Sequence, residues 1–203
     1  VVQHNLSAAN TNRQLGITTN GLQKSTEKLS SGYKINRAAD DAAGLSISEK
    51  MRNQIRGLNK ASDNAQDGIS LVQTAEGALN EVHSMLQRMS ELAVQAANYT
   101  NQTVDKNALE AEVTQLQTEI KRVGSTTQFN KMNILDGTFT AKKLQVGANA
   151  NQTISVSISA LAGVTSEALA THVSGAAAQS AITSIQSSIT KLSTLRSKLG
   201  AIQ

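Results

Sequence analysis

Met51, Ile55, Leu58, Ala61, Ala65, Ile69, Val72, Ala75, Leu79, Val82, Leu86, Met89, Ala93 and Ala96 are the residues whose reading decides the fold. They are the apolar positions of one uninterrupted stretch, and their mean spacing of about 3.5 residues is the period of a coiled-coil seam. The spacing predicts a helix over about 46–98, ~80 Å long at ~1.5 Å per residue. Many seam positions are Ala, which lets helices approach closely but buries less area than Leu would. Gly57, Gly68 and Gly77 lie inside the run, and each costs up to ~1 kcal/mol of helix propensity. Packing against partners along the whole length must therefore hold this helix.

Working outward, Asn98-Tyr99-Thr100-Asn101-Gln102-Thr103 reads as a turn, with Thr103 as N-cap. Leu109, Val113, Leu116, Ile120 and Val123 give a second heptad run, a helix over about 104–124. The short connection makes the two helices antiparallel and sets Arg88 level with Glu112. After Gly124 the rhythm breaks, and Phe129-Asn130 and Asn133-Ile134-Leu135-Asp136-Gly137 read as loop and turn. Period-2 alternation in Leu144/Val146 and Ile154/Val156/Ile158 reads as a β-hairpin around Gly147-Ala148-Asn149-Ala150-Asn151. Residues 162–180 are small and polar and read as a permissive surface connection. Ile182, Ile185, Ile189, Leu192, Leu195, Leu199 and Ile202 resume the heptad over about 180–203. That seam is unfinished at Gln203, which reads as a truncated helix.

Before Met51 the pattern is weaker. Leu6, Ala9, Arg13, Ile17 and Leu22 sit among Asn and Thr, interrupted by Gly16, Gly21, Gly32 and Gly44. Alone in water this stretch is marginally helical and is expected to order only against copies of itself or another partner. The expected fold is mainly α: long antiparallel, coiled-coil-like helices in a rod-shaped bundle, a small β-hairpin, and an N-terminal helix ordered on assembly.

Composition agrees and excludes several classes. The 203 residues include two Tyr, two Phe and no Trp, Pro or Cys. A disulfide scaffold, a zinc-thiolate site and a Cys nucleophile are therefore excluded, and the lack of Pro suits long helices. The net charge of +4 comes from residues 1–60, where nine Lys/Arg face four Asp/Glu. These charges are interspersed with polar residues and form no basic run, so nucleic-acid binding is not indicated. No stretch approaches the ~20 apolar residues of a membrane span. The start, Val1-Val2-Gln3-His4-Asn5, lacks the features of a cleaved secretory signal.

Chemistry-bearing constellations are sparse. His4, His83 and His172 lie far apart with no partner at metal-ligand spacing, and His83 flanks the seam residue Val82. Asp40-Asp41 reads as N-terminal capping of the long helix or as a salt-bridging pair, because adjacent helical residues point about 100° apart and do not share a site. No glycine-rich phosphate loop is present. An enzyme is not indicated, and no cofactor or metal is expected. Gln87, Arg88, Glu91, Leu92 and Gln95 follow helical spacings, with Arg88, Leu92 and Gln95 sharing one stripe off the main seam and Arg88 level with Glu112. The group reads either as a solvated face with one spare Leu or as a protein-binding hot spot.

Several long motifs are diagnostic. Leu29-Ser30-Ser31-Gly32-Tyr33-Lys34-Ile35-Asn36-Arg37-Ala38-Ala39-Asp40-Asp41-Ala42-Ala43-Gly44-Leu45 resembles the N-terminal signature of bacterial flagellins. Gln73-Thr74-Ala75-Glu76-Gly77-Ala78-Leu79, Glu91-Leu92-Ala93-Val94-Gln95, and Thr127-Gln128-Phe129-Asn130 before Ile134-Leu135-Asp136-Gly137 are similar to the same family. So are Leu144-Gln145-Val146-Gly147-Ala148-Asn149 and Thr194-Leu195-Arg196-Ser197-Lys198-Leu199-Gly200-Ala201.

The resemblance implies a structural subunit that polymerises into the flagellar filament for motility. It implies export by the flagellar type III apparatus without a cleaved signal peptide, and an extracellular location in the flagellum. Residues 1–43 would be the inner-tube segment and spoke. Residues 44–203 would be the core domain, with a hairpin and short variable region over about 137–178. Leu29, Ser31, Gly32, Ile35, Asn36, Asp40, Asp41 and Gly44 would serve the spoke and subunit packing. Implied partners are other copies of the chain, the filament cap, hook–filament junction proteins, and an export chaperone whose site falls in a missing C-terminal part. The family is also sensed by Toll-like receptor 5, whose patch maps onto Gln87, Arg88, Glu91, Leu92, Gln95 and Glu112. Ser90 stands where many receptor-activating flagellins carry a second Arg, a loss expected to weaken recognition. The alternative is a hook–filament junction protein, which shares the N-terminal pattern. A flagellin-like protease would need a zinc motif within 139–180, and none is there. A soluble coiled-coil adaptor is the remaining option.

Overall fold

The computed structural model describes residues 5–169, 172–173 and 177–203. His4 and part of the expected 162–180 connection (170, 171 and 174–176) lie outside the described residues. Along the chain run α1 (Leu6–Ser31), α2 (Ala42–Ala96), α3 (Thr103–Thr126), β1 (Gln128–Phe129), β2 (Met132–Asn133), β3 (Lys142–Gln145), β4 (Thr153–Val156), α4 (Leu161–Leu169) and α5 (Ala178–Ile202). The protein is mainly helical with small antiparallel hairpins, as the periodicities predict. Two compact units, Val1–Gly57 and Leu58–Gln203, divide it, and α2 contributes to both.

In the first unit α1 is held by local bonds. The Asn5 side chain caps it by accepting from Ala8 N at 3.1 Å. Gly32 ends it in the left-handed region at φ 71°, donating to Lys28 O. No side chain of α1 is buried. In the N-terminal part of α2, Ile47, Met51, Ile55 and Leu58 are each more than half exposed. Farther along, Ala61 is buried, but Ala65 is half-buried and Ile69 is exposed, so the expected seam is continuously buried only from Val72 onward.

In the second unit Val72, Ala75, Leu79, Val82, Leu86, Met89, Ala93 and Ala96 are buried as the heptad predicts, and Leu71, off that seam, is buried with them. Leu92 joins them at 0% exposure. This corrects its reading as a spare surface Leu. A single-seam heptad assumes one partner helix, whereas this part of α2 has α3 on one flank and α5 on the other. Arg88 reaches Glu112 of α3, and Ile189 of α5 lines a groove with Ser90 and Val94. Two partners widen the buried arc beyond the two heptad positions.

The turn after α2 is capped differently from expectation. Gln102, not Thr103, is the N-cap of α3, and its N–H donates to Asp105 Oδ2 at 3.1 Å. Asn130 and Lys131 join β1 to β2 with φ of 49° and 62°, the two left-handed residues a tight hairpin requires. β3 pairs with β4 in antiparallel register, Lys142 opposite Val156 and Gln145 opposite Thr153. This hairpin docks on α2. Asn64 Nδ2 donates to Gln145 O at 3.0 Å, and a Cβ on Gly68 would stand 2.5 Å from Leu144 Cδ1. Gly68 thus trades helix propensity for close approach.

The expected surface connection is corrected too. Residues 161–169 form α4, which buries Leu161, Thr165 and Ala168 on one face. It runs antiparallel to α3: Leu161 lies beside Gly124, and Gln117 Nε2 donates to Ala168 O. Its other neighbour is α5, where Lys191 pairs with Glu167 and Ser188 Oγ accepts from Ala168 N at 3.3 Å. The central seam of α5 is accordingly Ala178, Ala181, Ile185, Ser188, Leu192, Leu195 and Leu199. The expected Ile182 and Ile189 flank it, only partly buried.

Leu86→Ala should lower the unfolding free energy of this second unit by about 2–5 kcal/mol. Gly77, whose Cβ position is open, should give a gain of about 0.5–1 kcal/mol as Gly77→Ala. Urea unfolding midpoints check both.

Candidate functional sites: an α2–α3 surface and the 29–44 segment

On α2 the guanidinium of Arg88 bridges two carboxylates. Its Nε donates to Glu112 Oε1 at 2.8 Å, and its Nη1 to Glu91 Oε2 at 3.1 Å. Glu112 first, then Glu91, holds the guanidinium above its ordinary pKa. The Arg88 side chain is half exposed. Gln87 and Gln95 are exposed beside it. Gln87 Nε2 lies 3.1 Å from His83 Nε2, and the Gln95 carbonyl accepts from Asn101 Nδ2. Five of the six residues singled out from the sequence thus share one accessible surface. The sixth, Leu92, is beneath it. Val94, 57% exposed, supplies the apolar component that Leu92 does not.

The 29–44 segment is tied by short-range bonds. Leu29 is exposed at the end of α1. Ser31 Oγ donates to Lys28 O and accepts from Tyr33 N. Asp40 Oδ2 accepts from Arg37 N at 3.3 Å and from Asn36 N at 3.4 Å. Asp41 Oδ1 accepts from Gly44 N at 2.9 Å and caps α2. The two adjacent aspartates therefore do different work, one locking a turn and one starting a helix. A Cβ on Gly44 would crowd the Asp41 carboxylate and stand 2.8 Å from Ile35 Cδ1, so both side chains would have to shift to admit one.

Sequence reasoning missed the outer partners. Arg37 Nε donates to Glu27 Oε1 at 3.0 Å, and the Arg52 guanidinium sits 4.7 Å from the Tyr33 ring centroid. These pairs are ten and nineteen residues apart, beyond any local pattern. His172, with no partner at metal-ligand spacing in the sequence, lies 2.8 Å from Glu110 Oε1 on α3. Among the described residues, no three His, Cys, Asp or Glu gather as a metal would require.

The backbone N–H of Arg37, then that of Asn36, holds the Asp40 carboxyl below its ordinary pKa, with Lys28 and Lys24 assisting. A depressed carboxyl stabilises the turn above the unfolded aspartate value, and that contribution is lost as pH falls through the lower, folded value. The Asn36 and Arg37 amide shifts should therefore move together in a titration below about pH 4. Asp40→Asn should remove that acid step, as read by NMR.

Comparison with known proteins agrees with these motifs. The family model for the bacterial flagellin N-terminal helical region matches residues 2–140. The chain is 54% identical over 209 residues to the flagellin of Halalkalibacterium halodurans, a match covering 100% of this chain and 76% of that protein. It is 42% identical over 220 residues to the flagellar filament 31.3 kDa core protein of Treponema maltophilum, across 100% of this chain and 77% of that one. The crystal structure of Bacillus cereus flagellin is similar with a TM-score of 0.62 and 30% identity, covering 67% of this chain and 80% of its own. Motifs, helical architecture and relatives agree: the chain belongs to the bacterial flagellin family.

Proposed function

We infer that this chain is a structural subunit of the bacterial flagellar filament, assembling by self-polymerisation rather than acting as an enzyme. One observation carries the reading beyond family membership. Leu6, Leu15, Ile17, Leu22 and Leu29 of α1, and Ile47, Met51, Ile55 and Leu58 of α2, are all more than half exposed. Repeated apolar residues on helices are the surface that self-association buries. Residues 1–43 act as inner-tube segment and spoke, and residues 44–203 as the core domain. In the spoke, Leu29, Ser31, Gly32, Ile35, Asn36, Asp40, Asp41 and Gly44 fix the path between the two helices. Export through the flagellar type III apparatus, an export chaperone, the cap and the hook–filament junction proteins complete the proposed assembly route.

The α2–α3 surface is the proposed Toll-like receptor 5 site. Arg88, with Gln87, Glu91, Gln95 and Glu112, supplies the contact. Leu92 supports it from below by packing. Arginines at the centre of polar and apolar neighbours are the usual energetic anchors of protein interfaces. Ser90 in place of a second cation makes this receptor surface a weak one.

Seeded growth tests the first reading. Purified chain, alone or extended by a flagellin C-terminal segment, is mixed with flagellar filament fragments and imaged by negative-stain electron microscopy. Elongation of the seeds by either form supports the subunit role, and failure of both overturns it. For the second, Arg88→Ala should weaken receptor binding about tenfold or more, and Ser90→Arg should strengthen it. An affinity unmoved by Arg88→Ala, in a protein of unchanged helicity, overturns the receptor site.

A further inference from the structure

Asn20-Gly21 is the one place in this chain where asparagine precedes glycine. We propose that it is a self-modifying site, converting to aspartate and isoaspartate whenever α1 opens. The step needs no partner but water. The Gly21 amide nitrogen, after giving up its proton to solvent base, attacks Asn20 Cγ. A C–N bond forms to close a five-membered imide, and the side-chain nitrogen leaves as ammonia, taking up protons from water. Water then adds to either imide carbonyl and cleaves one C–N bond. One cleavage gives aspartate, and the other gives isoaspartate with the main chain rerouted through the side chain. Nothing is oxidised or reduced. Glycine is the favoured second residue because no Cβ hinders the attack or the φ/ψ change it requires.

Within α1 the attack is blocked, because the Gly21 amide belongs to the helical hydrogen-bond ladder and cannot reach Cγ. That block is only as strong as the helix. α1 buries no side chain, and Gly16 and Gly21 interrupt it with open space around both Cβ positions. An isolated helix of this kind is marginal in water. Opening therefore exposes the reactive pair, and any partner that covers α1 closes it.

The surroundings favour the product. Asn20, Lys24 and Lys28 line one cavity of about 280 Å³. The acids sharing that cavity are engaged, Glu27 by Arg37 and Asp40 by the 36–37 turn. Lys24 lies one helical turn beyond position 20, where it can pair with a new carboxylate. The isoaspartate form inserts an extra main-chain atom, so α1 cannot reclose in register. Each subunit left uncovered would thus accumulate a permanent mark in α1.

The test incubates the full chain at mildly alkaline pH and follows each asparagine by peptide mapping, with isoaspartyl methyltransferase labelling. Conversion should appear at Asn20 ahead of the other asparagines and fall to their level in Gly21→Ala. Gly16→Ala leaves the reacting pair intact while strengthening the helix, and should slow conversion by up to about fivefold. Circular dichroism confirms its gain in helicity. Conversion at Asn20 no faster than elsewhere overturns the site. An unchanged rate in a more helical Gly16→Ala chain overturns the gating by α1.

Discussion

The burial of one helix between two others is the constraint on which the second unit depends. From Leu71 to Ala96, α2 presents an apolar arc to α3 on one flank and α5 on the other. With two Phe and two Tyr in the whole chain, no bulky aromatic centre is available to gather the elements. The core is aliphatic and Ala-rich, and close helix approach must supply the contact that large side chains give elsewhere. That explains the small residues at the tightest places. Gly68 admits Leu144 of the hairpin, and Ser188 lets α4 lie directly against α5.

The first unit solves a different problem. It has few buried groups, so polar geometry replaces packing. Between Gly32 and Gly44 the chain must leave one helix and begin another. Each of its changes of direction is fixed by a side chain bonded to nearby backbone: Ser31 at the exit, Asp40 at the turn, Asp41 at the entry. Such bonds are short in sequence and need no distant partner.

How much of this was legible follows the same division. Helices on a long heptad and a hairpin on period-2 alternation announce themselves, because their pattern repeats enough times to exceed chance. The nine residues of α4 do not. Its buried face is Leu161, Thr165 and Ala168, of which Thr165 is polar, and nine residues hold too few turns for a period to repeat. Leu92 lies off the seam in sequence yet is buried, because a heptad specifies one neighbour while the bundle supplies two. The pairing of Arg88 with Glu112 was readable from hairpin register alone. Glu27 with Arg37 and Glu110 with His172 were not, since their separations of ten and 62 residues are set by the tertiary path.

The absence of any buried side chain on α1 has a thermodynamic corollary. Its helix–coil equilibrium exposes backbone but no buried side chain to denaturant, so its opening adds less to the slope of a chemical unfolding curve than a packed helix of equal length would, and lacks a sharp midpoint. An optical melt would register α1 as a sloping pre-transition baseline, ahead of a cooperative step from the packed helices. Calorimetric enthalpy per residue for this chain would then fall below that of a globule of equal length. The shortfall would measure how many residues leave their folding to be completed elsewhere.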